Sequence, residues 1–447
     1  MNPLLLPELR EMLADDNVVE MQEFCTALNA GRTAEFMEGL DNPQIWSILR
    51  HAEPERRAEV FSFFEEYRQV EMLEAADLDS ASELIGELPA DDRVDLIQQL
   101  DEPRVADILR RLPLADRRDI QRLTQYEDGT AGSIMTTQVA KLDQELSVRG
   151  ALETLGRLGD ELETIYYLYV VEDDRLRGIV STRQLVSSLK RPDRTLGELM
   201  ETDVVAALAT DDQESVAQKV ERFDLLAIPV VDDSRRLLGI ITHDDIIDVV
   251  REEYTEDIQR SAAVEPLEDD FLQVGLWTLS WKRGLWLTIL FFAALLTAFA
   301  LRHYDVELEA YAWLVAFIPL IISAGGNSGS QSATLVITAM TAGQVTFADW
   351  FQVLRRELVV SLVLGGFLAA IGYSVAVVLA PNPSDAAVIP ITLLAVIVCG
   401  CLFGAALPML FKRLGLDPAL MSNPFVAGIV DILGIVIYIN VARVLLA

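Results

Sequence analysis

Three cysteines and three histidines are all that the 447 residues contain. Cys25, Cys399 and Cys401 are too few and too badly spaced for a disulfide framework or a thiolate metal site, and the last two sit in an apolar run. His51, His243 and His303 are scattered, which removes a His-rich zinc centre. Basic residues are also scarce, 36 against 69 acids, for a net charge of −33. Phosphate binding wants clustered Lys and Arg, so a nucleic-acid partner is excluded and a cation is the natural one. The opening MNPLLLPELREMLADD carries acids where a secretion signal has a basic region and a long apolar one. The expectation is a cytosolic N-terminal part.

The charge is not spread evenly. From Phe271 to Ala447 eight acids meet eight bases, so residues 1–270 hold 61 acids against 28 bases. The chain is two materials joined near residue 270. The second material contains the long charge-free runs Gly284–Leu301, Ala310–Ala348, Leu358–Ser384 and Ala386–Phe411, and a fifth, Pro418–Ala442, interrupted only by Asp431. About 20 apolar residues cross the hydrocarbon core. Five spans are predicted, the 39-residue second run as one long helix broken by glycines. Lys282, Arg283, Arg355, Arg356, Lys412 and Arg413 fall on one side, Arg302 and Arg443 on the other, which places the N-terminal half in the cytoplasm.

Residues 1–128 read as a helical domain, with apolar positions at helical spacing. Leu88–Leu96 (LPADDRVDL) returns as Leu112–Ile120 (LPLADRRDI), with Ala58–Phe61 as a more distant third copy. Stacked helix hairpins of this kind make a short superhelical array. Residues 129–250 change character, dividing at about 192/193. A β-rich run, Ile165–Val171, is followed by the acidic turn Glu172-Asp173-Asp174 and by Gly178-Ile-Val-Ser-Thr-Arg-Gln-Leu185. About sixty residues on, Ile228–Val231, Asp232-Asp233-Ser234 and Gly239-Ile-Ile-Thr-His-Asp-Asp-Ile246 repeat that order. Each unit resembles a CBS domain, and the tandem resembles a Bateman module. In that family a Ser/Thr-x-x-Asp segment can hold the ribose of an adenine nucleotide. Thr242 and Asp245 fit it, whereas Ser181 is followed by Gln184, and Leu225 stands where some relatives stack an aromatic on adenine. The nucleotide candidates are Tyr166, Ser181, Arg183 and Thr242, with ATP left open as a second ligand. Residues 251–283 lack a flexible Gly/Ser run, which favours a connecting, plug-like helix that transmits movement over a passive linker.

Two features in the spans carry chemistry. Pro319–Ser332 is a polar, glycine-rich segment, and its amide side chains need partners or a wet cavity. Its glycines and serines are equally consistent with close helix packing. Asp431, mid-span, costs at least about 2.5 kcal/mol if ionised in lipid, and no Lys or Arg lies at its depth. Protonation, a proton relay or a metal ion are the ways out. Asn423-Pro424, half a span earlier, offers a helix break and carbonyl oxygens. An all-oxygen donor set suits a hard cation, and hydrated Mg²⁺ needs only one or two carboxylates. Two subunits around one axis would supply two.

These residues carry a second resemblance. PLIISAGGNSGSQSAT (319–334), LGLDPALMSNPFVAGIVDILGIVIYINVARVLL (414–446) and EEYTEDIQ (252–259), with the order of segments, are similar to the bacterial MgtE magnesium transport family. The resemblance implies a multidomain protein: an all-α superhelical N-terminal domain, an α+β tandem CBS module, a connecting helix and a five-span α-helical membrane domain over 284–447. It implies a homodimeric Mg²⁺-selective channel in the cell membrane, not an enzyme, with Asp431 as the pore carboxylate and Asn327 and Asn423 beside the path. It also implies closure by cytosolic Mg²⁺. The matching carboxylates are Glu59, Asp91 and Asp95 in the helical domain and Glu214, Asp224, Asp245 and Asp248 in the CBS pair. Glu253, Glu256 and Asp257 match in the connecting helix, and Asp417 before the last span. The competing readings are Mg²⁺ efflux by cation exchange and a membrane-anchored Mg²⁺ or nucleotide sensor that conducts nothing.

Overall fold

A computed structural model describes residues 5–159, 162–267 and 271–446. Residues 1–4 of the expected helical domain and 268–270 of the expected connecting helix lie outside that description. The chain forms two compact units, Met1–Val250 and Arg251–Ala447.

The first unit opens with α1 (Leu6–Ala14), α2 (Val18–Ala27), α3 (Ala30–Met37), α4 (Asn42–Leu49), α5 (Pro54–Phe61), α6 (Glu66–Ala75), α7 (Leu78–Glu87), α8 (Ala90–Gln99), α9 (Glu102–Arg111) and α10 (Leu114–Leu123). Helices two apart in sequence pack together, α3 on α5, α5 on α7, α7 on α9, which is the geometry of a superhelical array. The repeat has a physical basis. Last-turn carbonyls of a helix have no partner within it, and a side chain from the next helix supplies one. Arg93 donates to Gly86 O and Leu88 O (2.9 and 2.8 Å), and Arg117 to Arg110 O and Leu112 O (3.2 and 3.1 Å). Gln69 does the same for Ser62 O and Phe64 O (3.2 and 2.6 Å). The third copy therefore lies around Phe64–Gln69 and not at Ala58–Phe61. Three residues of similar reach, not similar letters, define it.

The CBS pair follows as two three-stranded sheets of identical order. β1 (Lys141–Asp143) runs parallel to β2 (Tyr167–Glu172), which pairs antiparallel with β3 (Arg175–Ser181). β4 (Ala207–Leu208), β5 (Ala227–Val231) and β6 (Leu237–Thr242) repeat this. Asp173 and Asp174 close the first hairpin with φ of 51° and 63°, the left-handed pair that a two-residue turn requires. Helices α11 (Val148–Leu158) and α12 (Thr182–Ser187) complete the first repeat, α13 (Gln213–Phe223) and α14 (His243–Ser261) the second. The helical domain and the second repeat share one core, in which Leu84, Ile97 and Ile120 continue into Met135, Val216 and Ile241.

The second unit takes the C-terminal part of α14, then α15 (Leu276–His303), α16 (Asp305–Ala310), α17 (Ile318–Thr341), α18 (Trp350–Leu379), α19 (Val388–Arg413) and α20 (Asn423–Leu446). Five of its helical segments are long and apolar enough to cross a membrane. Two expectations need correction. The segment 251–283 is not one helix: α14 ends at Ser261, Ala263 has φ 58°, and Pro266 disfavours a helical residue before it. The next helix starts only at Leu276. The second span is not broken by its glycines either; α17 runs through them unbroken, preceded by a 3₁₀ turn at Ala312–Phe317.

The glycines instead bring α17 and α19 backbone to backbone. A Cβ on Gly404 would stand 2.1 Å from Gly329 O, and one on Gly400 2.6 Å from Gly325 O. Helices that gain nothing by hiding apolar side chains from lipid associate through such close approach. Gly404→Ala is expected to lower the melting temperature of the detergent-solubilised protein, by about 1–3 kcal/mol of overpacking. Gly428, with open space around its missing Cβ, should accept alanine without loss. Equal melting temperatures for the two variants would contradict this packing.

Candidate cation sites

In the membrane unit, the candidates lie on α17 and α20. Helical spacing puts Ser323, Asn327, Gln331, Thr334 and Thr338 on one face of α17, and Asn327, Gln331, Thr334 and Thr338 are all exposed there. Asn327 Nδ2 donates to Ser323 Oγ (3.2 Å), and its amide oxygen accepts no hydrogen bond among the described residues. Asp431, two turns into α20, is half-buried; its Oδ1 lies 3.4 Å from the position a Cβ would take on Gly326, beside Asn327. No ion pair to it occurs among the described residues. Small residues on α17 thus leave room for a carboxylate where a larger side chain would fill the space. Asn423 differs from expectation: both its oxygens are occupied, the carbonyl by the Ser330 hydroxyl and Oδ1 by the Thr334 hydroxyl, each at 3.0 Å. The helix break at Asn423-Pro424 docks α20 on α17, and the two α17 hydroxyls that hold it were not singled out from the sequence.

In the first unit, two helix N-termini carry paired aspartates. Asp91 and Asp92 stand in the first turn of α8, Asp244 and Asp245 in the first turn of α14. A helix N-terminus favours an acid, so each pair is locally consistent with its own helix. Together they are not. Asp91 is 7% exposed, and its Oδ1 has no hydrogen-bond partner. Burial first, then the negative charge of Asp245, push the Asp91 carboxyl well above the usual range. The same two causes, in that order, raise Asp92 to about 6 and Glu163 to about 7. Asp245 is raised by burial, against the Thr242 hydroxyl and amide that donate to it at 2.5 and 3.1 Å. Asp248 adds to the charge on Asp92 and Asp245. The nearby Arg93 is engaged elsewhere, with Asp116 at 3.3 Å.

Of the seven predicted regulatory acids in this unit, the structure therefore unites Asp91, Asp245 and Asp248. Glu59 pairs with Arg56 at 2.5 Å, Asp95 points out from α8, Glu214 accepts from Gln218, and Asp224 is the left-handed cap of α13. Asp92, Asp244 and Glu163 join the cluster without having been predicted. A doubled Asp at the start of α8 and of α14 was the visible signal for the first two; Glu163 comes from the segment before β2, and nothing local marks it.

In the second unit, Glu256 and Asp257 on α14 and Asp417 before α20 lie around Arg260, which pairs with Glu256 and Asp417, while Asp257 accepts from the Thr341 hydroxyl at 3.2 Å. Glu253 is half-buried on the same helix. No group of three or more His, Cys, Asp or Glu side chains among the described residues is set to hold a metal ion directly; an ion that keeps its waters needs no such group.

At the nucleotide candidates, Tyr166 is exposed just before β2 and Arg183 is exposed on α12. Gln184 is engaged at both ends: its oxygen accepts from Ser181 N and Oγ (2.8 and 2.9 Å) and its amide donates to Glu201 (2.9 Å). Thr242 Oγ1 is shared between Asp244 and Asp245, at 2.5 Å from each.

The chain matches a family model described as a divalent cation transporter (MgtE) over residues 318–441, the MgtE intracellular N domain over 28–129, and the CBS domain over 131–191 and 196–252. It is 37% identical over 331 residues to the magnesium transporter MgtE of Thermus thermophilus, covering 74% of this chain and 73% of that protein. It is 33% identical over 442 residues to the magnesium transporter MgtE of Enterococcus faecalis, covering 97% and 95%. Among solved structures it is similar to the soluble part of a magnesium transporter (TM-score 0.52, 33% identity, 55% of this chain and 97% of that one). It is also similar to the cytosolic domain of the Mg²⁺ channel MgtE in complex with ATP (TM-score 0.51, 29% identity, 54% and 98%).

The raised carboxyls give a signed pH dependence. Folded residues 1–250 hold protons on Glu163 and Asp92 that the unfolded chain releases near pH 4, so stability falls as pH rises through about 6 to 7. In chelator, the melting temperature of this unit is expected to drop from pH 5.5 to pH 8 by on the order of 5 °C. Asp245→Asn, which removes the second cause and leaves burial, should recover part of that drop. A melting temperature that rises over this interval would contradict the cluster.

Proposed function

The chain belongs to the MgtE family of magnesium transporters, and on that premise we propose that it is a homodimeric Mg²⁺ channel closed by Mg²⁺ on its cytosolic side. It is a multi-pass membrane protein with a soluble N-terminal part. The observation that carries the conducting role is Asp431 on α20, set against the glycines of α17 and next to an exposed polar stripe in which the Asn327 amide oxygen accepts no hydrogen bond among the described residues. A carboxylate without a base at that depth is best accommodated when a cation visits it. The polar face of α17 is unsuited to lipid, so a second copy of the chain across a wet path is its natural cover. Two Asp431 side chains would then face one hydrated ion. Its waters reach the amides and hydroxyls of the stripe, and Mg²⁺ is the hard divalent ion that keeps its waters most firmly.

Closure is assigned to the acids of the first unit. Asp91 and Asp92 belong to the helical domain, Asp244, Asp245 and Glu163 to the CBS pair, so a divalent ion among them ties the two parts together. Without it, repulsion among half-buried carboxylates favours separation. The Debye length is about 8 Å at physiological salt, so only acids this close contribute, not the −33 as a whole. Helix α14 begins inside this cluster and continues unbroken to Ser261, which makes it the transmitting element. By linkage, whatever ion closes the pore binds the closed form more tightly. The remaining predicted acids, Glu59, Asp95, Glu214, Asp224, Glu253, Glu256, Asp257 and Asp417, lie outside this cluster. The likeness to a cytosolic domain solved with ATP supports a nucleotide at the CBS pair. In this chain the ribose would meet Asp245 in the second repeat but a Gln184 already bonded through its oxygen and its amide in the first.

Mg²⁺ uptake into liposomes by the reconstituted protein tests the conducting role. Wild type should admit Mg²⁺ without an imposed counter-gradient. Asp431→Ala should abolish uptake while eluting as the same oligomer. Equal uptake by both would remove Asp431 from the path, and a requirement for a counter-gradient would favour exchange.

A further inference from the structure

Glu256, Asp257 and Asp417 are among the acids for which the family resemblance implies bridging Mg²⁺, yet a side chain of the chain itself already stands between them. Arg260 lies one turn beyond Glu256 on α14 and pairs with it at the i, i+4 spacing; a second guanidinium nitrogen pairs with Asp417. The guanidinium keeps its charge at all physiological pH values and presents several donors in one plane, which suits it to hold two carboxylates from different elements at once. Burial and the Asp417 charge both work against ionised Glu256 and Asp257, and Arg260 is the positive charge that opposes them at both.

What Arg260 holds is the entry to the pore helix. Asp417 divides its oxygens: Oδ1 accepts from Ala419 N at 2.8 Å and caps the 3₁₀ turn Pro418–Leu420, while Oδ2 takes the guanidinium. That turn leads through Ser422 into Asn423, the first residue of α20, which is fixed to α17 through Ser330 and Thr334. One turn of α14 away, Asp257 holds Thr341, the last residue of α17. The end of α14 thus grips the two helices that carry Asn327 and Asp431, at the ends nearest the cytosol.

We propose that Arg260 is a resident cation that takes the place of a bridging Mg²⁺ at this contact, positioning the entry of α20 against α14, so that Mg²⁺ sensing is left to the Asp91–Asp245 cluster. A divalent ion entering here would have to displace the guanidinium or share its two carboxylates. Arg260 touches no permeating ion; it is a positioning residue for the gate. The proposal rests on the reading of the chain as a Mg²⁺-gated channel, but its contact can be tested apart from that reading.

Two measurements on the full chain, reconstituted in lipid, decide it. In chelator, amide hydrogen exchange across residues 414–424 should quicken by about tenfold in Arg260→Gln, the loss expected for a charged hydrogen-bonded pair. Arg260→Lys, which keeps the charge but not the fork, should fall between. Unchanged exchange in Arg260→Gln overturns the proposal whether or not the protein conducts. In flux assays, the cytosolic Mg²⁺ needed to halve uptake should rise by about fivefold or more in Arg260→Gln, with uptake at low Mg²⁺ as in wild type. A fall in that concentration would mean that Mg²⁺ binds better once the arginine is gone, and would also overturn it. Wild-type uptake that ignores cytosolic Mg²⁺ would instead sink the gating function and leave the exchange result standing.

Discussion

Carboxylates gathered out of water repel one another unless a cation joins them, and the rest of this protein's behaviour depends on that fact. Asp91 sits almost entirely buried with an oxygen that no donor reaches, facing the charge of Asp245 across the junction of the helical domain and the second CBS repeat. The shared hydrophobic core around Ile97, Met135 and Ile241 draws the two parts together, while the acids above it push them apart. On the proposed gating, one ion bound among the acids would offset that repulsion and hold the junction closed. A core without the acids would stay shut, and acids without the core would never meet.

The membrane unit applies the opposite economy. From Phe271 onward its charges balance, its helices associate through glycine rather than through large apolar side chains, and one carboxylate stands where the packing leaves space. Gly325, Gly329, Gly400 and Gly404 set α17 and α19 close enough for backbone contact, and Gly326 of the same helix as Gly325 faces Asp431. Selectivity for a hydrated ion asks for oxygen donors held at a distance, and a scaffold of small residues supplies that distance. Arg260 is a fixed positive charge near the end of α14, the helix whose first turn carries Asp244 and Asp245.

Much of this was legible in the sequence because its signals are local. Five apolar runs give five spans, the paired β-rich segments with Asp-Asp turns give two CBS sheets, and Asp431 stands out because nothing near it has charge. The rest was illegible for a common reason, which is that partners lie far apart in the chain. Ser330 and Thr334 find Asn423 across some ninety residues, Asp417 finds Arg260 across 157, and Glu163 joins Asp92 only when the fold closes. The glycines of α17 look like helix breakers until α19 is placed against them. The third helical repeat was misplaced because its defining residue is Gln69, which shares a reach with Arg93 and Arg117 but not a letter.

The central claim is that an ion bridging Asp91 and Asp245 closes the pore. It is tested most directly by Mg²⁺ uptake as a function of cytosolic-side Mg²⁺, in oriented proteoliposomes, for wild type and Asp91→Asn. With the bridge weakened, the variant should need several times more Mg²⁺ to close, at the same maximal uptake. Closure at the wild-type concentration would show that the buried acids have no part in the gate.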